Sequence, residues 1–361
     1  MPTRFPKPPP PFLFRYRPPS EVSLGHLEGL LQHDRIWSSL PGAFIDLNDC
    51  RARIDFLGTE ADWRRYYKRI FTTLGLTRAN LDREVHNAIA KGVWKDLNKH
   101  GEIVQGIQTP LGNSGVICLT DTAIDRLMWD SDYAGGGRGI CLCFASSLAP
   151  LSAVLKVNYV SPLPTVKFSA DGGEQVDAFI LSKERSYSWE REWRYVDYNG
   201  GEGHKPLSPT ALRAIVLGSL VNADMQDKVL ALVGRWKPHV AVLQAIDDGT
   251  NVGLRVEGLS EALSRGPGTL LLDYLRAIPP AHQRPNLDSR LQGLADQLNA
   301  CQRPAANISA GKLTREATDL ITTLTLHARG GSGSSVPSYI GLAPLIFEMV
   351  REVAGAPGLR I

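Results

Sequence analysis

The run Trp189-Glu190-Arg191-Glu192-Trp193-Arg194-Tyr195 constrains this chain more than any other stretch. Its large aromatic and acidic residues alternate, and a period of two predicts a β-strand over Trp189 to Tyr198. On such a strand Trp189, Arg191, Trp193 and Tyr195 share one face, and Glu190, Glu192 and Arg194 share the other. Aromatic rings gain by burial, so their face is expected against a core. The two carboxylates then stand about 7 Å apart along one line, with Arg194 beside them to relieve their repulsion. Two readings follow. The bland one is a solvated outer face carrying a weak ion pair. The chemical one is a carboxylate pair that holds a sugar hydroxyl and stabilises a cationic sugar in a transition state.

A second alternating run lies near the start, after a proline-rich segment over residues 6–11. In Phe12-Leu13-Phe14-Arg15-Tyr16-Arg17 the aromatics face one way and both arginines the other, and Pro18-Pro19 ends the strand. Residues 21–33 read as a helix, Arg35 to Ser38 as a short strand, and residues 60–100 as one or two amphipathic helices, an insertion reaching about 110 with interspersed acidic residues. From Gly115 the texture changes. Val116 to Leu119, Gly139 to Phe144, Leu155 to Val160, Ile215 to Gly218 and Val240 to Leu243 read as strands, with a helix over 222–235. Beyond about 258 the pattern is helical, over 259–329 and 339–354, with a flexible composition at Gly330 to Ser335. Segregated strands and helices predict an α+β fold. The domain organisation expected is an α+β catalytic domain over 1–258 and a helical part over 259–361.

Composition excludes several classes. Lys and Arg total 40 against 37 Asp and Glu, a net charge of +3, too small a bias to argue for nucleic acid. The five cysteines have no zinc-ligand spacing, and Cys118, Cys141 and Cys143 sit in apolar runs as small hydrophobes. A reducing, cytoplasmic compartment is the simplest expectation. No stretch of about 18 apolar residues predicts a membrane helix. The histidines form no paired zinc motif, no Gly-x-Ser-x-Gly elbow occurs, and no metal site is expected. Gly135-Gly136-Gly137-Arg138-Gly139 precedes a strand and lacks a Gly-Lys-Ser/Thr ending, so it reads as a tight loop, not a phosphate loop.

Several motifs occur in order: Phe14 to Arg17, Ile36-Trp37-Ser38, Asn48-Asp49, Met128-Trp129, Tyr133-Ala134, Gly139, Lys156 to Tyr159, Lys183, Glu190 to Arg194 and Ile215 to Gly218. Over residues 12–247 this set resembles the bacterial family catalogued as domain of unknown function 2971. More distantly, the order of an arginine on the first strand, a hydroxyl cluster on a middle strand and Glu-x-Glu late resembles the mono-ADP-ribosyltransferases. That resemblance implies a split antiparallel β-sheet core with inserted helices and NAD as substrate. It implies that Arg17 or Arg15 holds the NAD phosphates or ribose, with Thr120 and Thr122 bracing the nicotinamide ribose. It places Ser38 and Arg194 on the cofactor side, has Tyr133 stack on nicotinamide, makes Glu192 catalytic and has Glu190 orient the acceptor. The middle cluster departs from the family in being Thr-x-Thr around Asp121. The step Trp129-Asp130-Ser131-Asp132-Tyr133 lacks the histidine of family 2971.

The function so implied is ADP-ribosyl transfer or NAD hydrolysis, in a bacterial toxin or antiphage-defence setting. The acceptor would be a protein or nucleic acid, with a partner protein on the helical C-terminal part and no membrane. Two alternatives stand beside it. Asp46, Asp49, Asp121, Asp125, Asp130 and Asp132 would serve a metal-dependent nuclease. A non-catalytic nucleotide-binding sensor or interaction module would use the same pocket without turnover.

Overall fold

A computed structural model describes residues 8–44, 46, 49–92, 95–247, 249, 253–303, 308–328, 339, 342–353 and 359–360. Asn48 and the Gly330 to Ser335 segment lie outside the described residues.

In chain order the strands are β1 (Phe12–Arg17), β2 (Arg35–Ser38), β3 (Arg53–Asp55), β4 (Gly115–Thr120), β5 (Ile140–Ala145), β6 (Leu155–Lys156), β7 (Asn158–Val160), β8 (Thr165–Lys167), β9 (Ser182–Glu184), β10 (Glu192–Asp197), β11 (Gly203–Pro206), β12 (Leu212–Leu217), β13 (Ala241–Ile246), β14 (Arg255–Val256), β15 (Ile308–Ser309) and β16 (Leu359–Arg360). The helices are α1 (Glu21–His33), α2 (Glu60–Thr73), α3 (Arg78–Ala90), α4 (Leu97–Gly112), α5 (Arg126–Asp130), α6 (Gly172–Phe179), α7 (Ala223–Trp236), α8 (Leu259–Ser264), α9 (Pro267–Arg276), α10 (Pro285–Cys301), α11 (Ala310–Ala328) and α12 (Leu342–Val353). The mixture of strands and helices agrees with the expected class.

The chain divides into two compact units. The first comprises 37–118 and 155–203 of the described residues; the second comprises 8–36, 119–154 and everything from 204 onward. The division passes through β4, between Cys118 and Leu119.

In the first unit, three successive helices, α2 to α4, fill the region expected to be a helical insertion. α2 starts with a capping box in which Thr59 and Asp62 satisfy each other's orphan groups. Its inner face carries Trp63, Tyr66 and Tyr67 into a core shared with Phe168, Ile180 and Val196. Trp63 stacks on Phe168 with ring centroids 3.8 Å apart. Within the unit β10 pairs antiparallel with β6, while β3 with β8 and β7 with β9 form short parallel pairs. The stretch read as one strand over Leu155 to Val160 is therefore two, β6 and β7, in different sheets.

In the second unit the strands run in the order β14-β13-β12-β5-β1-β4, with Leu119 and Thr120 representing β4. β5 and β12 are buried along their whole length, which explains why both read as continuous apolar runs. β1 is antiparallel to β5 on one side and to β4 on the other. β12 and β13 are parallel, joined by α7, because a parallel pair needs a long crossover. The sheet is thus mixed, not the antiparallel one that the resemblance implied. Helices α9 to α12 pack around Leu270, Leu291, Leu294, Leu320 and Ile346, all with no exposed surface. The helical part foreseen over 259–361 lies in this same unit, where Arg213 of β12 pairs with Glu352 of α12 at 2.6 Å.

Candidate functional site

The strand foreseen over Trp189 to Tyr198 begins only at Glu192. Residues Arg185–Glu190 form a 3-10 turn, and Arg191 takes a left-handed conformation with φ of 51°. This costs a non-glycine residue energy, and it rotates the chain so that strand alternation does not relate Glu190 to Glu192. The two glutamates meet by another route. Lys183 of β9 places its Nζ 2.5 Å from Glu190 Oε2 and 3.3 Å from Glu192 Oε2. It also lies 3.2 Å from Asp49 Oδ2.

Arg194 completes the cluster. Its Nε donates to Glu192 Oε1 at 2.7 Å, and its Nη2 donates to Glu192 Oε2 at 2.9 Å and to both oxygens of Asp49 at 2.8 and 2.7 Å. Its Nη1 donates to the Ile180 carbonyl and the Cys50 sulfur. Glu190 and Glu192 are 4% and 5% exposed and Arg194 is wholly buried, so the solvated-face reading of this stretch is wrong. Trp193 is buried as well, so β10 has no open face over these residues.

Burial alone would raise the pKa of Glu192. The Arg194 and Lys183 charges oppose it and prevail, and the Cys118 thiol adds a hydrogen bond, leaving the carboxyl ionised with a pKa of about 2. Burial drives the Cys50 thiol up to about 12 and the Cys118 thiol well above its usual range, so neither is a thiolate nucleophile at neutral pH. Tyr159 fixes the start of the strand, its hydroxyl accepting from the Glu192 backbone N–H at 2.8 Å. A cavity of about 400 Å³, lined in part by Phe44, Asp49, Cys50 and Ile180, borders the cluster. A more open concavity of about 900 Å³ is lined in part by Asn158, Tyr159 and Ser182.

The remaining predicted residues have other contacts. Ser38 is buried, and its hydroxyl donates to the carbonyls of Gly201 and Gly203 at 3.1 and 3.0 Å, a structural use. Arg15 and Arg17 share one face of β1, as alternation required. Thr120 is the cross-strand partner of Phe14, and directly opposed residues share a face. Thr120 therefore lies with Phe14 and Tyr16, on the other face of the sheet from Arg15 and Arg17. Its Oγ1 is buried without a hydrogen-bond partner. Thr122 receives the Tyr16 hydroxyl at its carbonyl. Tyr133 is 37% exposed, whereas Trp129 is a core residue, its indole N–H bonded to the Ala123 carbonyl and its ring edge-on to Tyr16.

The glycine loop behaves as a tight turn. Gly135, Gly136 and Gly137 all have positive φ, and a β-carbon on Gly139 would fall 2.0 Å from the Arg17 carbonyl oxygen. The amides of Gly135, Gly136, Gly137 and Gly139 donate to Asp132, Ser131, Trp129 and Ala134, which leaves none of these four to cradle phosphate. Arg138 folds back onto the Gly135 carbonyl.

Among the described residues no group of three His, Cys, Asp or Glu side chains is arranged to hold a metal ion. Asp49 is committed to Arg194 and Lys183, and Asp125 caps α5. No described helix is long and apolar enough to cross a membrane. Lys183, Tyr159, Cys50 and Cys118 were not among the predicted site residues, and Asp49 was weighed only as a nuclease aspartate. The ordered motifs, which contain Asp49, Tyr159 and Lys183, gave the signal for these three; nothing marked Cys50 or Cys118 for the site. The chain matches none of the protein families, curated proteins or solved structures with which it was compared.

Proposed function

We propose that this protein binds a phosphorylated nucleotide, with NAD the first candidate, and does not turn it over. The observation that carries the reading is the pair Arg15 and Arg17 on one face of an interior strand. Guanidinium groups are the side chains best shaped to hold phosphate oxygens. Two further features favour binding over chemistry. Arg17 and Thr120 lie on opposite faces of their sheet, so they do not brace one ribose together. A carboxylate has about four acceptor positions, and Glu192 receives Arg194 twice, Lys183 and Cys118, which leaves little capacity for a substrate hydroxyl. The test is calorimetric titration with NAD beside a nicotinamide-release assay: saturable binding with no release over hours is expected, and the absence of binding overturns the reading.

ADP-ribosyl transfer or NAD hydrolysis is the second reading. One observation favours it: Glu192 is held ionised and rigid, with Glu190 joined to it through Lys183. A fixed carboxylate suits a developing oxocarbenium ion. On this reading the wild-type protein releases nicotinamide and Glu190→Gln reduces the rate at least about tenfold with its melting transition intact. A toxin or defence role, and a macromolecular acceptor, belong to this second reading alone.

A further inference from the structure

Helix α6 carries two carboxylates on one face. Asp171 caps the helix, its side chain accepting from the Glu174 backbone N–H at 2.9 Å. Glu174 and Asp177 follow three residues apart and are neighbours on the helix surface. Ala178 and Phe179 anchor the helix in the core of the first unit. The Ser182 hydroxyl of β9 holds its end by donating to the Asp177 carbonyl at 2.7 Å. Glu174 and Asp177 both line the concavity of about 900 Å³, and among the described residues neither carboxylate has a hydrogen-bond or ion-pair partner.

The walls of this concavity differ in charge. On the α2 side Asp62 is already satisfied. The Thr59 amide and hydroxyl both donate to its Oδ2 at 2.9 Å, and Arg65 stands 3.6 Å from its Oδ1. Those bonds, with the charges of Lys167 and Arg65, hold its carboxyl below the usual range. On the α6 side the sign is uniform. Partial burial, then the Asp171 and Glu174 charges, push the Asp177 carboxyl up, and no basic side chain opposes them. Like charges without a counter-charge attract a cation.

The rest of the lining selects the kind of cation. Ser169, between β8 and α6, is only 6% exposed and lines the same concavity, and its hydroxyl has no hydrogen-bond partner among the described residues. Burying such a group is costly unless something meets it. Its oxygen is an acceptor, as a carboxylate's are. Val160, Val166 and Ala178 add apolar surface. Among the described residues no three His, Cys, Asp or Glu side chains are arranged to hold a metal ion. Acceptors beside an apolar wall, without a metal-ligand set, match an ammonium on a methylene chain.

We propose that this concavity binds an aliphatic amine. Glu174, Asp177 and the Ser169 hydroxyl receive the ammonium, and the methylene chain lies along Val160 and Val166. The site belongs wholly to the first unit. It is independent of the nucleotide reading, which rests on Arg15 and Arg17 of the second.

The test titrates n-pentylamine into the full chain at constant ionic strength, followed by saturation-transfer NMR. n-Pentanol, the same chain without the charge, is titrated in parallel. Saturable binding of the amine and none of the alcohol is expected. Glu174→Gln combined with Asp177→Asn is expected to weaken amine binding at least about tenfold, as for lost charge-assisted contacts. Both side chains are exposed, and an unchanged melting transition checks that the variant folds. Asp227→Asn, which removes an exposed carboxylate of α7, is expected to leave binding unchanged. Nα-acetyl-lysine methylamide separates the two sources of the amine. Tighter binding than n-pentylamine assigns the site to a lysine side chain, and weaker binding to a free alkylamine. The site is overturned by no saturable binding of either amine, by equal binding of the alcohol, or by binding unchanged in the double variant. A loss in Asp227→Asn as large as in the double variant also overturns it, because it shows attraction to the protein's charge at large.

Discussion

Lys183 Nζ stands 2.5 Å from Glu190 Oε2 and 3.3 Å from Glu192 Oε2, with both carboxylates almost wholly out of water. The ammonium therefore decides how two like charges coexist in the core of the first unit. Removing it leaves Asp49 and Glu192 to Arg194 and takes from Glu190 its 2.5 Å ion pair. Breaking a buried pair from one side costs about 3–5 kcal/mol, so Lys183→Met is expected to lower the urea midpoint by that equivalent. Glu190→Gln in the same background should restore part of the loss, because it removes one of the buried charges that Lys183 offset. Additive losses in the double variant would show that the two side chains are not coupled.

Acid should destabilise the protein in two steps. His239 is fully buried, and burial followed by Lys237, Arg213 and Arg265 holds its pKa well below the usual 6.5. The folded state thus binds fewer protons there than the unfolded one, so stability falls as pH drops through about 6.5. His26, depressed to about 4, has the same sign over 6.5 to 4. Glu192 contributes the second step: its stabilisation is complete above the ordinary carboxylate value of 4.5 and is lost as pH falls towards about 2. Urea midpoints measured from pH 8 to pH 3 should show the first decline shrinking in His239→Phe. An unchanged profile in that variant would assign the decline to other groups.

Arg17→Ala and Thr120→Val should separate on NAD. The arginine variant is expected to lose binding by about tenfold or more, as for a charge-assisted contact of about 1.5–3 kcal/mol. The threonine variant should bind like the parent, since its hydroxyl faces the other side of the sheet and has no hydrogen-bond partner to lose. Equal losses in both would place the two residues around one ligand, against the strand register.

The glycine at 139 is expected to be indispensable for a steric reason. Gly139→Ala puts a β-carbon against the backbone carbonyl of Arg17, 2.0 Å away, and 2.9 Å from that of Ala134. Neither atom can swing aside as a side-chain end would. A drop in melting temperature is expected, together with weakened NAD binding, because Arg17 would be displaced. A variant as stable as the parent would contradict this packing.

Truncating Leu291, which has no exposed surface among α9 to α12, should cost about 2–5 kcal/mol as Leu291→Ala. Calorimetry reads this directly in the melting transition. A loss below about 1 kcal/mol, under the usual range for such a truncation, would mean that the helical core collapses around the gap.

Local pattern determined a good deal of this protein by itself. The alternation in Phe12 to Arg17 placed both arginines on one face, because a strand's period of two is a property of the backbone alone, and the apolar runs at Ile140 and Ile215 read as strands because both faces of β5 and β12 are buried. The helical character of 60–112 and of the part beyond 259 was legible from apolar spacing near 3.6 residues, though not the number of helices. Three things required the tertiary structure. The left-handed turn at Arg191 removed Glu190 from the strand, since a single φ is invisible to periodicity. Thr120 fell across from Phe14 because register is set by pairing, not by either strand's own sequence. Lys183, nine residues before Glu192 across the Arg185–Glu190 turn, and Asp49, far away in the chain, joined its cluster because buried carboxylates demand counter-charge wherever the fold can bring it. The sequence marked Glu192 as a special charge; only the fold surrounded it.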